Sequence, residues 1–200
     1  KTLESRGKHI FNRFRRELTQ ESFTSFFDYY YFRMVQFATI IAKSEILAEE
    51  IVLDVFLKIW EQKKTAGSID NIETYLFVSV RNTAINTLKK DQKFHVDMLD
   101  DAHIQLADYR PSAESLLIEH EMLDALNDAV NHLPAKCKMI FKLIREDGLN
   151  RNEVAQVLNV SVKTVDNQVV IAVRKIAEQL RIDLANPENS RTLTTFLFTF

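Results

Sequence analysis

NRNEVAQVLNVSVKTVDNQVVIAVRKI, Asn150 to Ile176, decides how the chain folds. Val154, Ala155, Leu158, Val160, Val165, Val169, Val173 and Ile176 form one apolar set. Their spacing fits two helices packed across a tight corner at Leu158 to Val160. Ala155 is small where two backbones must approach, and Asn159 stands where the corner needs a left-handed residue, which Asn tolerates better than most. Ser161 is placed to cap the second helix. Lys163, Thr164, Asn167, Gln168, Arg174 and Lys175 are left pointing outward. This is a helix-turn-helix, and its second helix has the donors to read a major groove, Asn and Gln pairing with adenine, Lys and Arg with guanine. Asn150, Arg151 and Asn152 open the first helix, where free amides and the positive dipole end favour a phosphate.

Composition extends the helical reading to the whole chain. In 200 residues there are only three Gly and three Pro, and 46% are hydrophobic. Few punctuators and recurring periods of three and four predict an all-α protein with ordinary cores. One cysteine, Cys137, excludes an internal disulfide framework and is expected to be a buried thiol. No apolar run reaches a bilayer-spanning length and the first residues lack the apolar core of a signal peptide, so the cytosol is the expected compartment. Charge is segregated: residues 1–93 net +3, 94–128 net −8 and 136–181 net +4. Two basic blocks flanking an acidic connector suit two modules that touch a polyanion.

The N-terminal block opens with an aromatic-rich helix from Phe23, a break near Lys43 to Ile46, and a second helix ending in DVFLKIWEQ. Val55, Leu57, Ile59 and Trp60 cannot all face one way, so Phe56 or Trp60 is expected to be exposed to a partner. The polar loop KKTAGSIDN follows, then the helix IETYLFVSVRNTAINTLKK. That helix is apolar at Leu76, Phe77, Val80, Ala84, Ile85 and Leu88, and presents Arg81, Asn82, Asn86, Lys89 and Lys90 on its other face. A basic polar face of this kind can hold a nucleic-acid strand through its phosphates.

AEEIVLDVFLKIWE (48–61), ETYLFVSVRNTAINTLKK (73–90) and LPAKCKMIFKLIREDGLNRNEVAQVLNVSVKTVDNQVVIAVRKI (133–176), taken in this order, resemble the extracytoplasmic-function group of bacterial sigma factors. The resemblance runs from about Phe23 to Leu180. It implies a domain at 1–93 that docks on core RNA polymerase and melts the −10 promoter element, with Asp54, Val55, Phe56, Lys58 and Trp60 on the polymerase-facing helix. It implies that the loop from Lys63 and Lys64 to Asn71 captures a flipped base, and that Tyr75, Arg81, Asn82, Asn86 and Lys89 meet melted DNA. An acidic linker at 94–120 would lead to a domain at 121–182 that reads the −35 element as duplex through Arg151, Ser161, Lys163, Thr164, Asn167, Gln168 and Arg174. The family also implies an anti-sigma partner, commonly membrane-anchored. Residues 183–200 form an apolar tail, expected to pack on the helix-turn-helix, meet a partner or remain a loose end.

Enzymatic chemistry finds no support in the sequence. There is no phosphate loop, no dinucleotide-binding fingerprint and no CxxC pair, and no cofactor, metal or small-molecule substrate is expected. His95, Asp97, Asp100, Asp101 and His103 cluster, but read better as an acidic loop than as a metal site. The competing function is a stand-alone regulator, a helical sensor or dimerisation domain joined to the same DNA reader. It does not account for the basic face of the 73–90 helix or for the acidic connector.

Overall fold

The computed structural model describes residues 2–90 and 125–198. Among these residues all regular structure is helical, and they fall into two compact units. The connector at 94–120, with its His and Asp cluster, lies outside the described residues.

The first unit contains α1 (Thr2–Glu17), α2 (Gln20–Ala42), α3 (Glu45–Glu61), a 3-10 turn η1 (Lys63–Ser68) and α4 (Ile72–Lys90). Local chemistry sets each corner. Thr19 caps α2 by accepting from the Ser22 amide, and Ser44 caps α3 by accepting from the Leu47 amide. Asn71 Oδ1 accepts from the Thr74 amide at 3.1 Å and so caps α4. Lys43 closes α2 in the left-handed region at φ 54°. The expected break at Lys43 to Ile46 is therefore a C-cap followed directly by an N-cap.

α2 lies at the centre of this unit and packs against α1, α3 and α4. Its buried rings, Phe26, Tyr30 and Phe37, join the other helices at the core. Phe14 of α1 stacks on Phe26 at 5.4 Å between centroids, Phe26 meets Phe56 of α3 at 5.5 Å, and Phe37 meets Phe77 of α4 edge-on at 4.9 Å. Rings at these separations and tilts add about 0.5–1.5 kcal/mol per pair beyond area burial. Deep in the same core Tyr30 Oη donates to Glu73 Oε1 at 3.4 Å, and the Arg33 guanidinium lies 3.7 Å from that oxygen.

The second unit contains a helix at 125–131, here α5, then α6 (Ala135–Arg145), α7 (Arg151–Leu158), α8 (Val162–Gln179) and α9 (Pro187–Phe198). Cys137 and Phe141 of α6, Ala172 and Ile176 of α8, and Leu193 and Leu197 of α9 share one core. The apolar tail thus takes the first of its three expected fates: it folds as α9 and covers α6 and α8. Cys137 is fully buried as expected, its thiol donating to the Gln168 carbonyl at 3.3 Å.

Candidate nucleic-acid interface

The helix-turn-helix is α7 and α8, and its corner has the anticipated chemistry. Asn159 adopts φ 54°, and the Val160 amide donates to the Ala155 carbonyl at 3.0 Å, closing α7. Ser161 Oγ accepts from the Thr164 amide at 3.0 Å and starts α8. Val165, Val169, Ala172 and Ile176 face inward. Lys163, Asn167 and Arg174 are exposed. Thr164 and Gln168 are half-buried on the flank of that row, and Thr164 Oγ1 lies 2.8 Å from Ser161 Oγ.

Two details depart from the sequence reading. The amides at the start of α7 are not free: Asn150 Oδ1 accepts from Asn152 and Glu153, and Glu153 Oε2 accepts from Asn150 at 2.7 Å. This reciprocal capping box consumes the donors expected to meet a phosphate. Arg151 is exposed, but its Nε donates to Asp166 Oδ1 of α8 at 2.9 Å, so the charge expected for a phosphate is shared with a carboxylate. One exposed position was missed. Val170 is 58% exposed and, with Lys163, Asn167 and Arg174, falls on a single row at i, i+4, i+7 and i+11. That spacing is readable in the sequence, where Val170 falls in neither the apolar set nor the polar row.

On α4 the division into faces is the expected one. Leu76, Phe77, Val80, Ala84 and Leu88 are buried, and Ile85 is half-buried. Asn82, Asn86, Lys89 and Tyr75 are exposed, and Arg81 is half-buried. The loop before α4 is more ordered than a polar sequence suggests, since residues 63–68 form η1. Lys64 is exposed, whereas Lys63 sits with its ammonium 3.6 Å from the centroid of the Trp60 ring. Asn71 is committed to the α4 cap.

On α3 the expected exposure is met at Trp60, Asp54 and Lys58 and not at Val55 and Phe56. Val55 and Phe56 are buried, Phe56 against Phe23, Phe26 and Phe27. Besides Ile46 in the first turn, the exposed apolar residues are Leu53 at 49% and Leu57 at 54%, with Trp60 half-buried at the next position of the row. Asp54 and Lys58 are exposed beside them. Leu53, Leu57 and Trp60, together with Phe23 and Phe27 of α2, line an open apolar groove of about 600 Å³.

The comparisons with known proteins agree with this geometry. Residues 123–176 match sigma-70 region 4. The chain is 23% identical to the ECF RNA polymerase sigma factor SigX of Bacillus subtilis (strain 168), over 84% of this chain and 90% of that relative. Its fold is similar to that of CnrH, solved with the cytosolic domain of CnrY, at a TM-score of 0.50 and 17% identity, covering 87% of this chain and 96% of CnrH. It is similar in the same way to the sigma factor RpoE of Bartonella quintana, solved with the anti-sigma factor NepR, at a TM-score of 0.50 and 22% identity, covering 76% of this chain and 91% of that one. The helix-turn-helix thus lies within a sigma-70 region 4, and along most of its length the chain is similar to a sigma factor of the extracytoplasmic-function type.

Proposed function

We propose that this protein binds core RNA polymerase and directs it to particular promoters, residues 1–93 docking on the enzyme and opening the −10 element, residues 121–182 reading the −35 element as duplex. The observation that carries the reading is the order of surfaces along the chain: an apolar groove on α3, then η1 and the polar face of α4, then a helix-turn-helix within the region 4 match. Promoter DNA and core polymerase are then the principal partners. An anti-sigma factor is a third, supported by the NepR complex of the RpoE relative.

Within this reading the groove-side residues Leu53, Asp54, Leu57, Lys58 and Trp60 contact polymerase, while Val55 and Phe56 act from inside by holding α3 against α2. Lys64, Tyr75, Arg81, Asn82, Asn86 and Lys89 hold the melted strand; Lys63 and Asn71 shape the loop that presents them. Lys163, Asn167 and Gln168 contact base edges, with Thr164 and Ser161 fixing the first turn of α8 and Arg151 and Arg174 at the backbone. Residues 94–120 form an acidic spacer that does not compete for DNA, and residues 183–200 complete the fold of the second unit through α9. No cofactor, metal or catalytic residue enters the scheme. Run-off transcription with purified core enzyme on a genomic fragment library tests it. New start sites should appear only when this protein is added; transcripts identical to those of core alone would overturn the assignment.

A further inference from the structure

The net +3 of residues 1–93 resides in α1, whose own residues Thr2–Glu17 net +3 with Arg6, Lys8, Arg13, Arg15 and Arg16 against Glu4 and Glu17. The remainder of the block nets zero, within which residues 63–90, holding η1 and α4, carry Lys63, Lys64, Arg81, Lys89 and Lys90 against Asp70 and Glu73. Affinity for a polyanion rises with each cation that displaces a counterion, so the charge of α1 would add to that of η1 and α4. α1 packs against η1, the proposed base-capturing segment, and Gly7 of α1 lies against Glu73 at the start of α4. α1 is therefore a neighbour of η1.

The inward side of α1 is Gly7, Phe11 and Phe14, all buried. At roughly 100° per residue the basic side chains spread over the remaining arc. Lys8 and Arg15 lie along one flank, and Arg6 and Arg13 along the other, with Arg16 between them. Arg13 is tied to Glu17 at 2.9 Å and to Glu21 at 3.1 Å. Arg6, Lys8, Arg15 and Arg16 are exposed, although Arg16 also approaches Glu17 at 3.3 Å. None of the exposed large apolar side chains among the described residues is on α1. Protein interfaces have an apolar core, which the α2–α3 groove offers and α1 does not. A face rich in Arg and Lys, with His9, Asn12 and Glu17 also exposed on it, fits phosphates.

We propose that α1 is a third DNA contact, a phosphate clamp on the promoter backbone adjoining the −10 element, which supplies affinity without reading sequence. The inference rests on the chain acting as a sigma factor. Its test uses holoenzyme, core polymerase with the full chain, and DNA fragments that the wild-type holoenzyme selects from a random-sequence library. Affinity is measured against KCl concentration for wild type, for Arg6→Gln/Lys8→Gln/Arg15→Gln/Arg16→Gln, and for the charge-keeping Arg6→Lys/Arg15→Lys/Arg16→Lys. Affinity of each chain for core, and its melting temperature, are measured alongside. The Gln variant should bind every selected fragment more weakly by the same factor, with a slope of log K against log[salt] shallower by roughly 1.5 or more, two or more phosphates lost. The Lys variant should retain the wild-type slope, and core affinity and melting should be unchanged. An unaltered slope in the Gln variant overturns the proposal, as does a loss confined to core affinity, which would make α1 a protein contact. Failure of the wild-type holoenzyme to select any fragment overturns it together with the sigma-factor reading, so the two failures are told apart.

Discussion

Gly7 of α1 faces Tyr29 and Tyr30 of α2. A Cβ there would collide with the Tyr30 hydroxyl and approach Glu73 Oε1 to 3.2 Å. Ala is the better helix former by about 1 kcal/mol, but overpacking a buried hydroxyl and carboxylate costs about 1–3 kcal/mol. Gly7→Ala is therefore expected to lower the melting temperature, and an unchanged value would mean that Tyr30 yields freely. Burial, and secondarily the Glu73 carboxylate, raise the Tyr30 phenol well above its ordinary pKa. The folded state thus favours the neutral phenol. This contribution is complete below the unfolded value of about 10 and is lost as pH rises beyond it, because only the unfolded chain ionises there. Denaturant titrations should show wild-type stability falling on the alkaline side, with Tyr30→Phe falling less steeply. At Lys43, φ 54° strains any residue with a Cβ, so Lys43→Gly should add about 1 kcal/mol of stability.

At the scale of elements, α3 carries one face into the core and another toward solvent, and both are apolar. Leu53→Ser/Leu57→Ser removes side chains that are about half exposed, so stability should change by no more than about 0.5 kcal/mol each. Binding to core polymerase, measured by fluorescence anisotropy, should weaken about tenfold or more. Unfolding instead of lost binding would place the groove inside the fold. α8 makes a different prediction. Asp166 puts a negative charge among the outward residues and holds Arg151 at 2.9 Å, a pair more than half exposed that stabilises the fold by under about 1 kcal/mol. Asp166→Asn should release Arg151 and tighten binding to every −35 sequence alike, whereas Asn167→Ala should change which sequences are selected.

The same elements show what the sequence makes legible. α4 and the helix-turn-helix could be bounded almost to the residue, because their apolar rows have a clean period and Asn159 and Ser161 signal the corner by local chemistry. The facing of α3 could not be read. A helix apolar on most sides has no unique inward stripe, and only the rings of α2 decide for Phe56 over Leu57. Arg151 looked available for DNA because its partner Asp166 lies across the corner on α8, whereas the caps at Asn150 and Asn71 use residues two or three positions along and were readable from that spacing. α1 was obscured by its charge, which hides Phe11 and Phe14 as core residues.

For the molecule as a whole, the reading assigns separate work to separate surfaces: an apolar groove for polymerase, a polar face with a basic helix beside it for melted strand, and an outward row on α8 for duplex. A stand-alone regulator would need only the last of these and would bind its site unaided. Permanganate footprinting on a promoter selected by the holoenzyme separates the two accounts in one measurement, because permanganate oxidises unpaired thymines. Reactive thymines should appear in the −10 region only when core polymerase and this protein are both present, and neither should open the DNA alone. A protein that occupies its site equally well without polymerase, and leaves every thymine paired when core is added, would contradict the account.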